Sequence, residues 1–458
     1  MHIFLCSKNR TFAGFYKGMT SNRNIFNISY PIFLTLIAQN IINVTDTAFL
    51  GRVGEVEMGA AAIGGVFYIA IYILGFGFSM GAQILIGRRN GEKNYAQIGP
   101  IFNNGLFFNF LLGLVLFVLA WRFMPVLMTF FVSSEYVYQA SLDYLDWRIF
   151  GLFFSFVNVM FRAFFVGITK TRVLTISAVI TAVTNALFNY LLIFGKGGFP
   201  EMGIVGAGIA SVIAEAITFL YLAFYLLTRG NTKQYGLFKF KKIDFKAIKQ
   251  ILDLSLFIMF QYLTSVAVWF AFFVFVESMG ERPLAVSNVG RSLCMLLMVF
   301  GSALATTTST LVSNLIGAGQ KEQVIPFVNK MTKITLVVML PPILFAFVFP
   351  ELFARIYTND LELIEASIPV IQVVALSLIA CSVGNIIFNA LSGTGNVRTA
   401  CAIDIATSFL YLGYIYYTAI INPTTVAVVW LSEFVYWIPI AVLSYWYLLK
   451  GNWRKKEI

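Results

Sequence analysis

Long apolar runs recur along this whole chain, and most are as long as a bilayer is thick. A helix needs about 20 predominantly apolar residues to cross the hydrocarbon core. About twelve segments meet that length: approximately 28–50, 58–86, 101–120, 138–166, 173–194, 204–228, 250–278, 284–316, 327–349, 366–391, 399–421 and 424–449. Several are longer than a bilayer requires, which implies tilt or an extension beyond the hydrocarbon. Hydrophobic residues make up 59% of the sequence and charged residues 12%, too few charges to clothe a soluble domain. A transmembrane β-barrel would show short alternating segments instead. The expected fold is an all-α integral membrane protein with twelve transmembrane helices.

The basic residues give the orientation. Lys8, Arg10, Lys17 and Arg23 precede the first span. Arg88, Arg89 and Lys93 follow the second, Lys170 and Arg172 the fourth, and Lys321, Lys330 and Lys333 the eighth. The longest connection, "TRGNTKQYGLFKFKKIDFKAIKQ", follows the sixth span and holds seven bases, and the tail "KGNWRKKEI" adds four. The alternate connections, "GRVGEVE", "GKGGFPE" and "ESMGERP", are poor in positive charge, and the one near 351–365 is mostly acidic. Cytoplasmic loops of membrane proteins carry the excess of Lys and Arg, so both termini are expected in the cytoplasm. That requires an even number of spans.

The halves on either side of the basic connection resemble each other. "VGEVEMGAAAI" (53–63) aligns with "MGERPLAVSNV" (279–289) and "GITKTR" (167–172) with "GTGNVR" (393–398), both at an offset of 226; "NGEKN" (90–94) pairs with "AGQKE" (318–322) at 228. Each match is weak alone, but together they indicate a duplication. Six helices per half would enter the membrane the same way up, giving two six-helix lobes related by a pseudo-two-fold along the membrane normal. The expected organisation is a cytoplasmic N-terminal segment (1–27), an N-lobe (28–228), a basic cytoplasmic connector (229–249), a C-lobe (250–449) and a cytoplasmic tail (450–458). Met19 is a candidate alternative start, and no cleavable signal peptide is evident before Ile25.

The net charge of +11 does not point to nucleic acid, because the bases sit in connections and no basic face interleaved with aromatics appears. Cys6, Cys294, Cys381 and Cys401 lie far apart with no CxxC spacing, and three of them fall in apolar segments as small core residues. His2 is the sole histidine, which argues against His-based metal sites and acid–base chemistry, and no cofactor is expected. Glycine-rich "GFGFSMG" (75–81) and "GIVGAG" (203–208) lack the Lys-Ser/Thr of a phosphate cradle and read as close helix packing.

A carboxylate near a helix centre costs about 2.5–3.5 kcal/mol on insertion scales, so an intramembrane acid calls for a function. Asp46 is such an acid. Gln39, Asn43 and Asp46 are spaced i, i+4, i+7 and share a helix face, with Asn40 beside them. Thr181, Asn185 and Asn189 form a stripe on the fifth span, and Ser211 and Glu215 one on the sixth. Facing one another, they would make a wet pocket that holds Na+ through oxygen ligands or a proton on the carboxylate. The plainer alternative is amide and hydroxyl groups bonding helices together. Glu215 suits cavity lining or a structural pairing equally. Asp404, Glu433, Glu277 and Arg291 are read as helix–helix contacts. The repeat position of Asp46 in the second half is Phe272, with no acid.

Four stretches carry a resemblance to the multidrug and toxic compound extrusion (MATE) family: "DTAFLGRVGEVEMGAAAIGG" (46–65), "GAQILIGRRNGEKNYAQIG" (81–99), "NALFNYLLIFG" (185–195) with "GIVGAGIASVIAE" (203–215), and "ALSGTGNVRT" (390–399). The resemblance covers nearly the whole chain from about Asn27. It implies alternating access and export of cationic or amphipathic organic compounds, drugs and toxins among them, in exchange for Na+ or H+. The setting implied is a multi-pass protein of the bacterial inner membrane, a monomer and not an enzyme. It gives Asp46 the cation- or proton-coupling role, with Asn185, Asn189 and Ser211 around it and Gln39, Asn43, Glu215 and Gln261 as candidate cavity-lining residues. Asn189 stands where many members have an aspartate. Gln261 matches the position of a helix-7 glutamate of one subgroup, and Asn396 that of its helix-10 aspartate. The competing expectation within transport is a flippase for a lipid-linked oligosaccharide, which would favour a basic cavity; the interior bases counted from sequence are Arg162 and Arg291.

Overall fold

The computed structural model describes residues 20–229, 232–239 and 243–455. The candidate start at Met19, the residues before it, parts of the basic connector and the last three residues lie outside these. The spans are α1 (Asn22–Leu50), α2 (Glu55–Gly91), α3 (Ile98–Phe131), α4 in two arms (Glu135–Arg148 and Gly151–Gly167), α5 (Arg172–Ile193), α6 (Gly203–Arg229), α7 (Phe245–Glu277), α8 (Glu281–Gly317), α9 (Val324–Val348), α10 (Leu361–Gly393), α11 (Val397–Tyr416) and α12 (Val426–Trp430 and Ser432–Lys450). Among the described residues there is no strand. Eleven helices among the described residues are long and apolar enough to cross a bilayer, and twelve spans result when the two arms of α4 count as one.

Several elements differ from the expectation. The fourth span is not one rod: its arms bend by 53° around Ile149 and Phe150. A Cβ on Gly151 would collide with the Arg148 guanidinium and the Glu215 carboxylate, so glycine lets the second arm start against that pair. α3 runs to Phe131 rather than ending at 120, because the polar Trp121-Arg122 pair marks a change of hydropathy and not a loss of helical hydrogen bonding. α11 closes in a π-helical turn, Tyr417–Ile421, and α12 is interrupted at Leu431.

Two compact units emerge. Of the described residues, one unit takes Tyr30–Met259, and the other combines those up to Ser29 with those from Phe260 onward. The chain passes between them inside α1 and inside α7. In the first unit, α2, α3 and α4 enclose Tyr68, Met124, Leu152 and Phe156, while α5 lies along α6. In the second, α10 packs against α8, α9 and α12 around Phe272, Leu293, Val374 and Trp430.

The glycine stretches act as close-packing surfaces. A Cβ on Gly75 would lie 2.7 Å from the Phe156 ring, and one on Gly206 2.7 Å from the Leu192 carbonyl carbon on α5. Gly208 passes equally near the Tyr144 carbonyl oxygen, at 2.8 Å.

The duplication extends to the backbone. α2 and α8 each have 37 residues, displaced by 226 positions. Each leads into a three-residue 3-10 turn, Tyr95–Gln97 and Lys321–Gln323, at the same displacement. Two left-handed positions also repeat: Lys93 (φ 58°) matches Gly319 (φ 77°), and Thr169 (φ 61°) matches Gly395 (φ 87°).

Candidate functional site

α1, α5 and α6 bring four of the expected residues into one hydrogen-bonded chain within the first unit. Asn189 Nδ2 donates to Asp46 Oδ1 at 2.5 Å and also faces Asn185 Oδ1 at 3.1 Å. Asn185 Nδ2 donates to Ser211 Oγ at 3.2 Å. The i, i+4 spacing of Asn185 and Asn189 on α5 stacks their amides one above the other. Gly206 lets α6 approach α5 closely enough for Ser211 to close the chain. One turn further along α5, Thr181 and Thr218 share a hydroxyl contact of 2.6 Å, so the stripe continues.

Asn185 and Asn189 are almost fully buried, Ser211 is buried, and Asp46 is half-buried. Asp46 makes no ion pair among the described residues, and Asn189 Oδ1 has no hydrogen-bond partner. The cluster therefore offers a carboxylate, two amide oxygens and a hydroxyl around a group whose charge is not directly paired. Hard monovalent cations and protons both bind to such oxygens.

Gln39 and Asn43 stand apart from this chain. Both are exposed on α1, and no side-chain hydrogen bond joins either to Asp46 among the described residues. Periodicity placed them on a shared face correctly, but that face meets the polar stripe of α5 only at Asp46.

Glu215 is engaged elsewhere in the same unit. Arg148 Nη2 donates to its Oε1 at 2.7 Å and Arg148 Nη1 to its Oε2 at 3.2 Å. The Tyr68 hydroxyl donates to the same carboxylate at 3.1 Å and contacts Ser155 Oγ at 3.0 Å. The guanidinium lies 3.5 Å from the centre of the Tyr68 ring, and it also acts electrostatically on Asp46. Arg148 corrects the count of interior bases made from sequence. It lies within the expected span 138–166 but was not counted, and at the end of the first arm of α4 it is largely buried against Glu215.

Arg162 and Arg291 are each set over an aromatic ring, Phe76 at 5.0 Å and Phe273 at 5.3 Å. Gln261 is buried on α7 in the second unit, and its Nε2 has no partner. Asn396 is not a helix-10 side chain: α10 ends at Gly393, and Asn396 precedes α11, its Nδ2 donating to Thr394 Oγ1 at 3.1 Å. The amides on the last turns of α10 are Asn385 and Asn389, joined with Asn389 Nδ2 donating to Asn385 Oδ1 at 2.7 Å.

Comparison with known proteins extends the reading. The MatE family pattern matches residues 31–191 and 258–417, one block in each half of the chain. The probable multidrug resistance protein NorM of Listeria innocua is 24% identical over 390 residues, 85% of each chain. The protein of the same name from Thermotoga maritima is 25% identical over 376 residues, 82% of this chain and 80% of its own. Among solved structures, a multidrug resistance MATE family transporter in an outward-facing conformation superposes with a TM-score of 0.88 at 18% identity, covering 96% of this chain and 98% of that one. A MOP superfamily transporter from Pyrococcus furiosus gives 0.87 at 18% identity, covering 95% and 96%. With both halves matched by the family pattern and the twelve-span helical fold shared, the chain belongs to the MatE family of membrane transporters.

Proposed function

We propose that this protein is a secondary antiporter of the cell membrane that exports cationic or amphipathic organic compounds in exchange for Na+ or H+. Asp46 binds the coupling cation, and Asn185, Asn189 and Ser211 complete its shell. The observation that carries this reading is the Asp46–Asn189–Asn185–Ser211 chain, in which the acid has hydrogen-bond partners but no directly paired base. A cation at Asp46 would neutralise the carboxylate and occupy the unpartnered Asn189 oxygen. The names of the NorM relatives support an efflux role. The basic connector and tail favour a cytoplasmic location for both termini.

The flippase alternative calls for a basic cavity to hold a diphosphate. Here Arg148 is committed to Glu215, and Arg162 and Arg291 lie on separate aromatic faces in different units. Those pairings favour the antiporter.

The test is efflux from liposomes holding the purified protein, with Na+ and pH gradients imposed separately. Asp46→Asn keeps shape and hydrogen bonding but removes the charge, so gradient-driven efflux should be lost while expression and folding remain. Asp46→Glu should retain partial activity with an altered ion dependence. Export by Asp46→Asn at the wild-type rate would reduce Asp46 to a helix contact and move the search to Glu215.

A further inference from the structure

The connector between α6 and α7 is folded onto the start of α3. Thr232–Tyr235 form one helical turn, and the chain then reverses through two left-handed residues, Gly236 (φ 65°) and Phe238 (φ 58°). A Cβ on Gly99 would collide with the Tyr235 and Gly236 carbonyl oxygens, so glycine lets the segment lie directly on α3. Two consecutive amides of α3 hold it there. Asn103 Oδ1 accepts from the Phe238 N–H at 2.9 Å, and Asn104 Oδ1 accepts from the Asp244 N–H at 2.8 Å. The Tyr235 ring is buried, edge-on to Tyr95 and Phe164 at 5.6 and 5.4 Å. Connections generally run loosely over a protein surface; this one is fixed by its own backbone groups.

The same packing leaves a cavity of about 530 Å³ between the connector and α3, wholly within the first unit. Its walls differ in kind. Lys233 and Lys239, both exposed, supply two ammonium groups from the connector. Neither lysine is in an ion pair among the described residues. Phe107 on α3 and Ile243, also exposed, supply an apolar side. Asp244 is the carboxylate of the lining, and its Oδ1 accepts from the Lys246 and Ala247 N–H groups at the start of α7, at 2.9 and 3.2 Å. Two lysines and one aspartate leave the lining with one surplus positive charge. Beyond the cavity the apolar side continues. Phe107, Phe110, Leu111 and Leu114 are all exposed and share one face of α3 by their i, i+3, i+4, i+7 spacing. On a membrane-spanning helix an exposed apolar strip is covered by acyl chains.

We propose that this cavity binds an anionic phospholipid, with the headgroup phosphate between the Lys233 and Lys239 ammonium groups and the acyl chains running past Ile243 and Phe107 along the exposed face of α3. The walls call for an occupant charged at one end and apolar at the other. A free phosphate ion would satisfy the lysines and leave the apolar side bare, and a neutral lipid would do the reverse. One phosphodiester carries the single negative charge that neutralises the lining. Basic residues beside a span also attract anionic lipid, by about fivefold in affinity for each. The site stands whether or not Asp46 couples an ion.

Native mass spectrometry of the full-length protein, stripped of lipid in detergent, counts the lipids that rebind. Phosphatidylglycerol and phosphatidylcholine of the same acyl chains are titrated separately, and wild type should hold its first phosphatidylglycerol more tightly. Lys233→Gln combined with Lys239→Gln should weaken that binding by about twenty-fivefold, fivefold for each lysine, and leave phosphatidylcholine unchanged. Lys450→Gln combined with Lys455→Gln removes as much charge from exposed positions outside the cavity and should change neither. Phe107→Ser spares both lysines and should also weaken phosphatidylglycerol. Inorganic phosphate in excess should fail to displace the lipid. All these positions are exposed, and an unchanged melting temperature checks that each variant is folded. Wild type without a preference for phosphatidylglycerol, an equal loss in the two double variants, binding indifferent to Phe107→Ser, or displacement by phosphate alone would each overturn the proposal.

Discussion

Removing the Arg148 guanidinium should destabilise the first unit far more than removing both charges of its ion pair. Arg148 and Glu215 have side chains only 12% and 17% exposed and meet through two hydrogen bonds. Arg148→Met keeps most of the volume and the stacking on Tyr68 but leaves Glu215 with the Tyr68 hydroxyl as its remaining side-chain donor. Stranding one partner of a buried pair costs about 3–5 kcal/mol, whereas replacing both with neutral groups is often close to neutral. Glu215→Gln should cost less than Arg148→Met, because a guanidinium over an aromatic ring keeps a favourable contact. The double variant should therefore recover about 2–3 kcal/mol relative to the sum of the singles, at the upper end of measured coupling energies. The assay is equilibrium unfolding by SDS in mixed micelles for wild type, both singles and the double. Additivity within about 0.5 kcal/mol would refute the reasoning and leave the pair as a contact without energetic coupling.

Other outcomes follow from the same geometry. Gly206→Ala should push α6 away from the Leu192 carbonyl and lower stability by about 1–3 kcal/mol, read as a drop in melting temperature in detergent. Lys93→Gly and Thr169→Gly should each raise stability by about 1 kcal/mol, since both residues hold left-handed conformations that their repeat counterparts fill with glycine. Asn189→Ala should leave Asp46 without its amide donor and reduce efflux in liposomes with little change in expression; wild-type efflux would remove Asn189 from the site. Protease added to inside-out vesicles should cut within the connector at 229–249, while intact spheroplasts should be resistant.

The sequence carried the helices well, because a bilayer-length apolar run has few alternative structures. It also placed Asp46, Asn185, Asn189 and Ser211 together, since amides at i, i+4 must share a face and a membrane gives such groups few other partners. Arg148 was hidden. It sits among the polar residues of "DYLDWR" inside the expected fourth span, and its partner Glu215 is 67 positions away. Nothing in local hydropathy says that the helix breaks there and swings the guanidinium inward; Gly151 is the one signal, and its meaning depends on α6. Gln39 and Asn43 show the reverse limit, for periodicity defines a face but not what that face meets. The C-terminal acids Asp404 and Glu433 do make helix contacts, as their sequence setting implies, but the aromatic donors they meet come from side chains whose directions no spacing rule supplies.

The two halves of the chain keep one backbone plan down to the handedness of single turn residues, yet their buried charges never coincide. The repeat partners of Asp46, Arg148 and Glu215 are Phe272, Val374 and Ala441, and those of Asp404 and Glu433 are Ala178 and Ala207. The helices therefore record a common ancestor, and the charges record a later specialisation of each copy. A chimera that joined two copies of either half would inherit a sound scaffold and the wrong inventory of ions: one version with the Arg148–Glu215 pair and the unpaired Asp46 doubled, the other with Asp404 and Glu433 doubled and no such ion pair among the described residues. Symmetry in this molecule is a property of its helical frame, and its buried charges do not follow it.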